Sequence, residues 1–196
     1  MKQYISPLLF VLHSANHSHD VNDLPRVTRH CQVLMYADDT VAFYSGKLAL
    51  TIESKLIEDL DIIGSWLRNN SLFLNVTKTE AMLFGTQARL SQVTDFRVTF
   101  NANPIKRVSE FKYLGVLFDE KISWNAHVKY IISKVGKRLG MLRRIRGSIT
   151  SHCANTIYLS YVRPILEYCD IVWDSCGVCN STSLEKLQGR AAIELQ

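Results

Sequence analysis

Val33-Leu34-Met35-Tyr36-Ala37-Asp38-Asp39-Thr40-Val41-Ala42-Phe43-Tyr44 is the stretch on which the fold turns. Two adjacent carboxylates stand at its centre. Both flanks are rich in β-branched, aromatic and aliphatic residues, the composition of strands. Asp-Asp between two strand-like runs predicts a tight hairpin with the acids at its tip, because Asp tolerates unusual backbone angles and hydrogen-bonds locally. Two like charges side by side repel, and each loses hydration near a sheet surface. A divalent cation with hard oxygen ligands, Mg²⁺ or Mn²⁺, resolves that conflict. Taken alone, the pair also reads as a solvated Asp-Asp turn.

The chain around this stretch has 196 residues, of which 47% are hydrophobic, which supports a packed core and excludes global disorder. The formal net charge of +5 suits a polyanionic partner. Five cysteines, an odd number without a regular framework, point to a reducing compartment. No apolar run reaches the length of a membrane span. Residues 5–12 follow Lys2 like a short signal-peptide core, but Pro7 argues against it. The expectation is an intracellular protein that is neither secreted nor membrane-bound. The oligomeric state is open.

Upstream of the hairpin, Pro7 can open a helix over the apolar block 5–12, and Asn22-Asp23-Leu24-Pro25 reads as a turn. His17-x-His19-Asp20 reads as a polar surface loop rather than a metal site, because no further ligand cluster follows. Downstream, Leu48, Ile52, Leu56, Leu60, Ile63 and Leu67 recur at helical spacing, with Glu53, Lys55, Glu58 and Asp59 largely off that stripe. This predicts an amphipathic helix packed on the back of a sheet. Residues 72–84 read as a short strand, a turn at 75–78 and a strand at 81–84. Residues 93–100 and 105–108 read as two strands joined by the turn Asn101-Ala102-Asn103-Pro104.

From Ala126 the pattern turns helical. Val128, Ile131, Ile132, Val135, Leu139 and Leu142 make an apolar face, and Lys134, Lys137, Arg138, Arg143, Arg144 and Arg146 crowd the rest. Such a helix is a solvated face, a membrane-surface helix or a phosphate tracker. A further helix is expected over 149–166, ending near Pro164, with Tyr158, Leu159, Tyr161 and Val162 in its core. Cys176-x-x-Cys179 has the spacing of half a zinc site, but the second half is badly spaced, so the pair reads as incidental.

The ordered set Tyr36-Ala37-Asp38-Asp39, Lys78-Thr79-Glu80, Tyr113-Leu114-Gly115-Val116 and Val172-Trp173-Asp174 resembles the reverse transcriptases of non-LTR (LINE-type, jockey-like) retrotransposons. Trp124-x-x-His127 fits the same pattern. The Gln-Gly-Ser that precedes the apolar block in that family is replaced by Lys2-Gln3-Tyr4, and residues 14–21 are an insertion relative to it. The resemblance implies an α+β fold. Residues 1–125 would be a partial polymerase palm, an antiparallel sheet with the Asp-Asp hairpin and a backing helix. Residues 126–196 would be a mainly helical thumb-like region.

In the intact polymerase, the resemblance makes Asp38 and Asp39 ligands of the catalytic Mg²⁺ or Mn²⁺, and Lys78 an acid assisting the leaving pyrophosphate. Tyr36 and Ala37 would lie against nucleic acid, and Leu114 and Gly115 would grip the primer. Lys134, Lys137, Arg138, Arg143 and Arg144 would track phosphates. The partners would be an RNA template and a DNA primer. The family's further catalytic aspartate and its fingers lie upstream of the residues matched here, so the expectation is a polymerase fragment inactive alone. The alternative is a non-enzymatic nucleic-acid-binding remnant or a decayed retroelement fragment.

Overall fold

The structure, a computed structural model, describes residues 8–13, 23–37 and 39–195. Asp38 and the His17-x-His19-Asp20 stretch lie outside the described residues. The chain divides into two compact units, the first running to Phe111 and the second starting at Lys112. Helix and strand are mixed, as an α+β reading requires.

The first unit is built on a five-stranded sheet. Its strands are β1 (Leu8–His13), β2 (Gln32–Tyr36), β3 (Asp39–Phe43), β4 (Glu80–Leu83) and β7 (Lys106–Arg107), in the order β2-β3-β1-β4-β7. The first four pair antiparallel among themselves, and β7 pairs in parallel with β4. The block behind Pro7 is therefore the central strand rather than a helix. A short apolar run fits either element by periodicity, and here pairing on both sides decides it.

Thr40, Val41 and Ala42 are all buried, which is what a strand flanked by two others and covered on both faces demands. The long helix α1 (Ala49–Asn69) presents Ile52, Leu56, Leu60, Ile63 and Leu67 to a core shared with Val33, Ala42, Ala81 and Leu83. One turn of helix, α2 (Gln87–Leu90), follows β4. The strand expected over 93–100 shrinks to β5 (Thr99–Phe100), which turns back into β6 (Asn103–Pro104). The link, Asn101-Ala102, has two left-handed residues, at φ 47° and 63°, the geometry of a type I′ turn. Phe96, Val98 and Phe100 are nevertheless buried in the core, so the apolar signal marked packing more than pairing.

In the second unit β8 (Glu110–Tyr113), whose first two residues belong to the first unit, pairs with β9 (Val116–Asp119). Helix α3 (Asn125–Ile145) then buries Val128, Ile131, Val135, Leu139 and Leu142. Its start is set by Asp119, whose carboxylate accepts the backbone N–H groups of Lys121, Ser123 and Trp124 at 3.0 Å each, together with the Ser123 hydroxyl. An anionic acceptor suits a helix N-terminus.

The following helical rod ends at Glu167, one residue past the expected 166, with Pro164 inside its last turns. Helix α4 (Ser151–Ile157) runs through a π-helical turn over residues 158–162 into α5 (Arg163–Glu167). Pro164 has no N–H to give, and widening the preceding turn accommodates its ring without breaking the rod. Val162 is buried there as expected, but Leu159 and Tyr161 are exposed. A short helix α6 (Asp170–Trp173) buries Trp173, and α7 (Val178–Leu195) packs Leu184, Leu187 and Ala191 on α3.

Candidate functional site

The β2–β3 ladder runs from Gln32 opposite Phe43 to Tyr36 opposite Asp39. Ala37 follows the last residue of β2. The tip therefore sits one residue earlier than an Asp-Asp turn would place it, and Asp39 already belongs to a strand. Ala37 has φ 52°, in the left-handed region. For a residue with a Cβ that conformation costs on the order of 1–2 kcal/mol. Such strain clusters where a backbone must hold a functional geometry. Tyr36 is 64% exposed and Asp39 half-buried.

Lys78 reaches the same end of the sheet by a separate route. Asp39 pairs with His13 at the end of β1, and on the other edge of β1 Val11 pairs with Glu80. Lys78 lies two residues before Glu80. Because β4 runs antiparallel to β1, the turn that carries Lys78 lies toward the His13 end of β1, the end at which Asp39 pairs. The Lys78 turn is held by Asn75, whose carbonyl accepts the N–H groups of Lys78 and Thr79 at 3.1 Å each, leaving the lysine side chain exposed.

The hairpin is anchored at its base by a residue the periodicity assigned to solvent. Asp59 on α1 is 0% exposed. Its Oδ1 accepts the Arg29 N–H at 3.0 Å, and its Oδ2 accepts those of His30 and Cys31 at 2.8 and 2.6 Å. These three amides end one residue before β2 begins. Burial alone would raise the Asp59 carboxyl, but the backbone donors of Cys31, Arg29 and His30 outweigh it and hold its pKa below the ordinary aspartate value. Burial, followed by the charge of Asp59, pushes the Cys31 thiol far up, so that cysteine stays a neutral core group.

In the second unit Leu114 and Gly115 form the β8–β9 turn, at φ 44° and 87°. A Cβ on Gly115 would stand 3.1 Å from Cε1 of Tyr168, whose hydroxyl donates to the Leu114 carbonyl at 2.6 Å. The glycine thus satisfies both a left-handed backbone and a close aromatic neighbour. The Lys134, Lys137, Arg143 and Arg144 side chains are exposed on α3. Arg138 instead stacks its guanidinium 3.8 Å from the Tyr161 ring centroid and donates to the Tyr161 carbonyl.

Two features of this unit carried no role in the sequence reading. His127 is 2% exposed, and Tyr130 is flanked by Lys112 and Lys134. Their ammonium groups, Lys134 first, pull the Tyr130 phenol below its ordinary pKa. The spacing His127, Tyr130, Ile131, Lys134 is i, i+3, i+4, i+7, one helix face, and was the available signal. Among the described residues no group of three His, Cys, Asp or Glu side chains could hold a metal ion. No described helix is long and apolar enough to cross a membrane.

Residues 4–118 match the family model described as reverse transcriptase (RNA-dependent DNA polymerase). The chain is 26% identical over 166 residues to the probable RNA-directed DNA polymerase from transposon BS of Drosophila melanogaster, covering 83% of this chain and 18% of that protein. It is 28% identical over 160 residues to the RNA-directed DNA polymerase from mobile element jockey of the same species, covering 80% and 17%. With the retrovirus-related Pol polyprotein from type-1 retrotransposable element R1 2 of Nasonia vitripennis the identity is 25% over 146 residues, covering 72% and 36%. The chain thus spans less than a fifth of the first two relatives. No solved structure matches it.

Proposed function

The chain belongs to the reverse transcriptase family, and from that membership we propose that it supplies part of the palm and thumb of an RNA-directed DNA polymerase of the non-LTR type. Residues 1–125 are the palm portion and 126–196 the thumb-like region. Asp38 and Asp39 are the metal ligands. Mg²⁺ keeps several waters and is held by one or two carboxylates plus substrate phosphates, a demand that adjacent aspartates at a hairpin beside an exposed Tyr36 meet. Bound there, such ions supply the charge that clamps the attacking and leaving oxygens of nucleotidyl transfer.

Lys78 neutralises and protonates the departing pyrophosphate. Tyr36 and Ala37 lie against the nucleic acid, and the Leu114-Gly115 turn positions the primer. Lys134, Lys137, Arg143 and Arg144 follow the phosphates of the RNA template and DNA primer, while Arg138 is occupied with Tyr161. An intracellular setting belongs to the same reading. The observation that carries it is the sheet register that puts Asp39 and the Lys78 turn at one end of β1.

Paramagnetic broadening by Mn²⁺ tests the metal ligands. Amide signals of Tyr36, Ala37, Asp39 and Thr40 should broaden selectively, and Asp39→Asn should suppress this while Asp95→Asn does not. Uniform broadening would remove the metal assignment. Because the chain spans less than a fifth of the first two polymerases compared with it, no primer extension is expected from these 196 residues assayed alone. Extension abolished by Asp39→Asn would overturn that part.

The exposed cations of α3 favour a second reading, nucleic-acid binding without catalysis. Salt-dependent binding of an RNA–DNA duplex that survives Asp39→Asn would support it.

A further inference from the structure

The five-stranded sheet of the first unit ends in two edges of opposite character. One is β7, two residues long and doubly cationic, Lys106 and Arg107. Short length and charge are the devices by which an edge strand refuses a further strand. The other is β2, five residues, Gln32-Val33-Leu34-Met35-Tyr36, with neither a charge nor a proline. Within the sheet β2 has β3 as its neighbour on one side and none on the other.

Alternate residues of an antiparallel strand turn their N–H and C=O groups away from the neighbour they pair with. On the side away from β3, those of β2 meet no backbone partner among the described residues. The side chains are as unguarded as the backbone. Leu34 is 55% exposed, and Gln32 and Tyr36 are exposed with it, on the face opposite Val33, which lies in the core shared with α1. A long uncharged edge with an exposed leucine at its middle is a template for another strand.

We propose that β2 pairs antiparallel with β2 of a second copy of this chain, about a twofold axis at Leu34. The strand is complementary to itself in that register. Leu34 meets its own counterpart, Gln32 meets Tyr36, and Val33 meets Met35. Directly opposed side chains are the unit of sheet stabilisation, and here each opposed pair is uncharged, so none repels although every copy carries a net +5. The β7 edge of another copy fits worse, being cationic and too short to follow five residues. The twofold also closes the assembly at two, because the joined sheet then ends in a guarded β7 on both sides. The proposal uses none of the groups assigned to metal or phosphate and does not rest on the polymerase reading.

The test is sedimentation equilibrium of the full chain after nuclease treatment, which removes nucleic acid that could bridge two basic molecules. A pairing five residues long is small beside the ~1,200 Å² of a stable interface, so a reversible dimer with a Kd between about 1 μM and 1 mM is expected. Amide hydrogen exchange at residues 32–36 should slow as protein concentration rises. Leu34→Lys and Leu34→Glu, at an exposed position, should each weaken association about tenfold, because like charges then stand directly opposite. Mixed in equal amounts the two variants should associate again, because the twofold sets opposite charges face to face. Leu50→Lys, at an exposed position of α1, should change nothing.

A chain that stays monomeric up to about 1 mM overturns the proposal. So does a dimer that protects amides elsewhere and not at 32–36, or one that Leu34→Lys and Leu34→Glu leave intact. A mixture of those variants that associates no better than either alone overturns the twofold at Leu34. None of these results bears on Mn²⁺ at Asp39, which is read on dilute monomer. Failure here therefore leaves the polymerase reading standing, and loss of the Mn²⁺ broadening leaves the dimer standing.

Discussion

Replacing Asp59 by Ala removes the acceptor of three backbone N–H groups at once, those of Arg29, His30 and Cys31. Each buried donor left without a partner costs about 1–3 kcal/mol. Relief of the buried charge and water entering the space left by the side chain offset part of this, so the expected loss is about 3–5 kcal/mol. A single domain has on the order of 5–15 kcal/mol of stability in all. Asp59→Asn keeps one oxygen, which can serve the His30 and Cys31 amides from the Oδ2 position, and turns an NH₂ toward Arg29. Its loss should be about half as large.

The assay is urea unfolding followed through backbone amide signals of the first unit, so that the second unit's own transition does not mix in. Hydrogen exchange at residues 29–31 should quicken in step. The same carboxylate makes stability pH-dependent. Its folded-state pKa lies below the ordinary 3.8, so the unfolded chain takes up the proton first. The contribution is complete at neutral pH and is lost as pH falls below about 4. A loss under about 1 kcal/mol for Asp59→Ala, or unchanged exchange at the three amides, would refute the anchoring argument.

Gly115→Ala must bear both a left-handed backbone and a Cβ 3.1 Å from the Tyr168 ring, so a loss of about 1–3 kcal/mol is expected in the second unit, checked by thermal unfolding. Gly136→Ala should do the opposite, stabilising by roughly 0.5–1 kcal/mol, because nothing lies within 4 Å of its Cβ position inside α3. Lowering the pH below the ordinary histidine value of 6.5 should destabilise the second unit, since the His127 pKa falls on folding and the unfolded chain binds the extra proton. His127→Asn, whose carbonyl can accept the Leu117 N–H, should flatten that slope in urea titrations. Neutralising Arg143 and Arg144 together should reduce the salt slope of duplex binding by about 2, measured by fluorescence anisotropy across salt concentrations.

What the sequence made legible were the elements whose residues speak for themselves. The α1 and α3 stripes and the β2–β3 hairpin follow from local period and composition, and each stripe residue singled out on α1 from Ile52 to Leu67 is buried. What it hid depends on partners distant in the chain. The 8–13 segment is a strand because β3 and β4 pair with it from either side, and no local pattern announces that. Asp59 looked like one of several surface acids on α1 because a helical wheel has no knowledge of residues 29–31. The hairpin tip moved by one residue because a two-residue turn is fixed by ladder register, which places Asp39 opposite Tyr36, rather than by the residues most tolerant of a turn.

The site divides along the same line. Asp39 and Lys78 stand out in the sequence by residue type and by their order along the chain, and their common end of the sheet emerges only from two ladders sharing β1. The tautomer of His127 is hidden for the same reason. His127 reads as a core histidine until the Leu117 amide is seen to occupy Nδ1, and only then does a bland buried ring become a proton donor in need of an acceptor. A sequence states which groups can ionise or donate; which of their atoms remain to be used is decided by the backbone that folds around them.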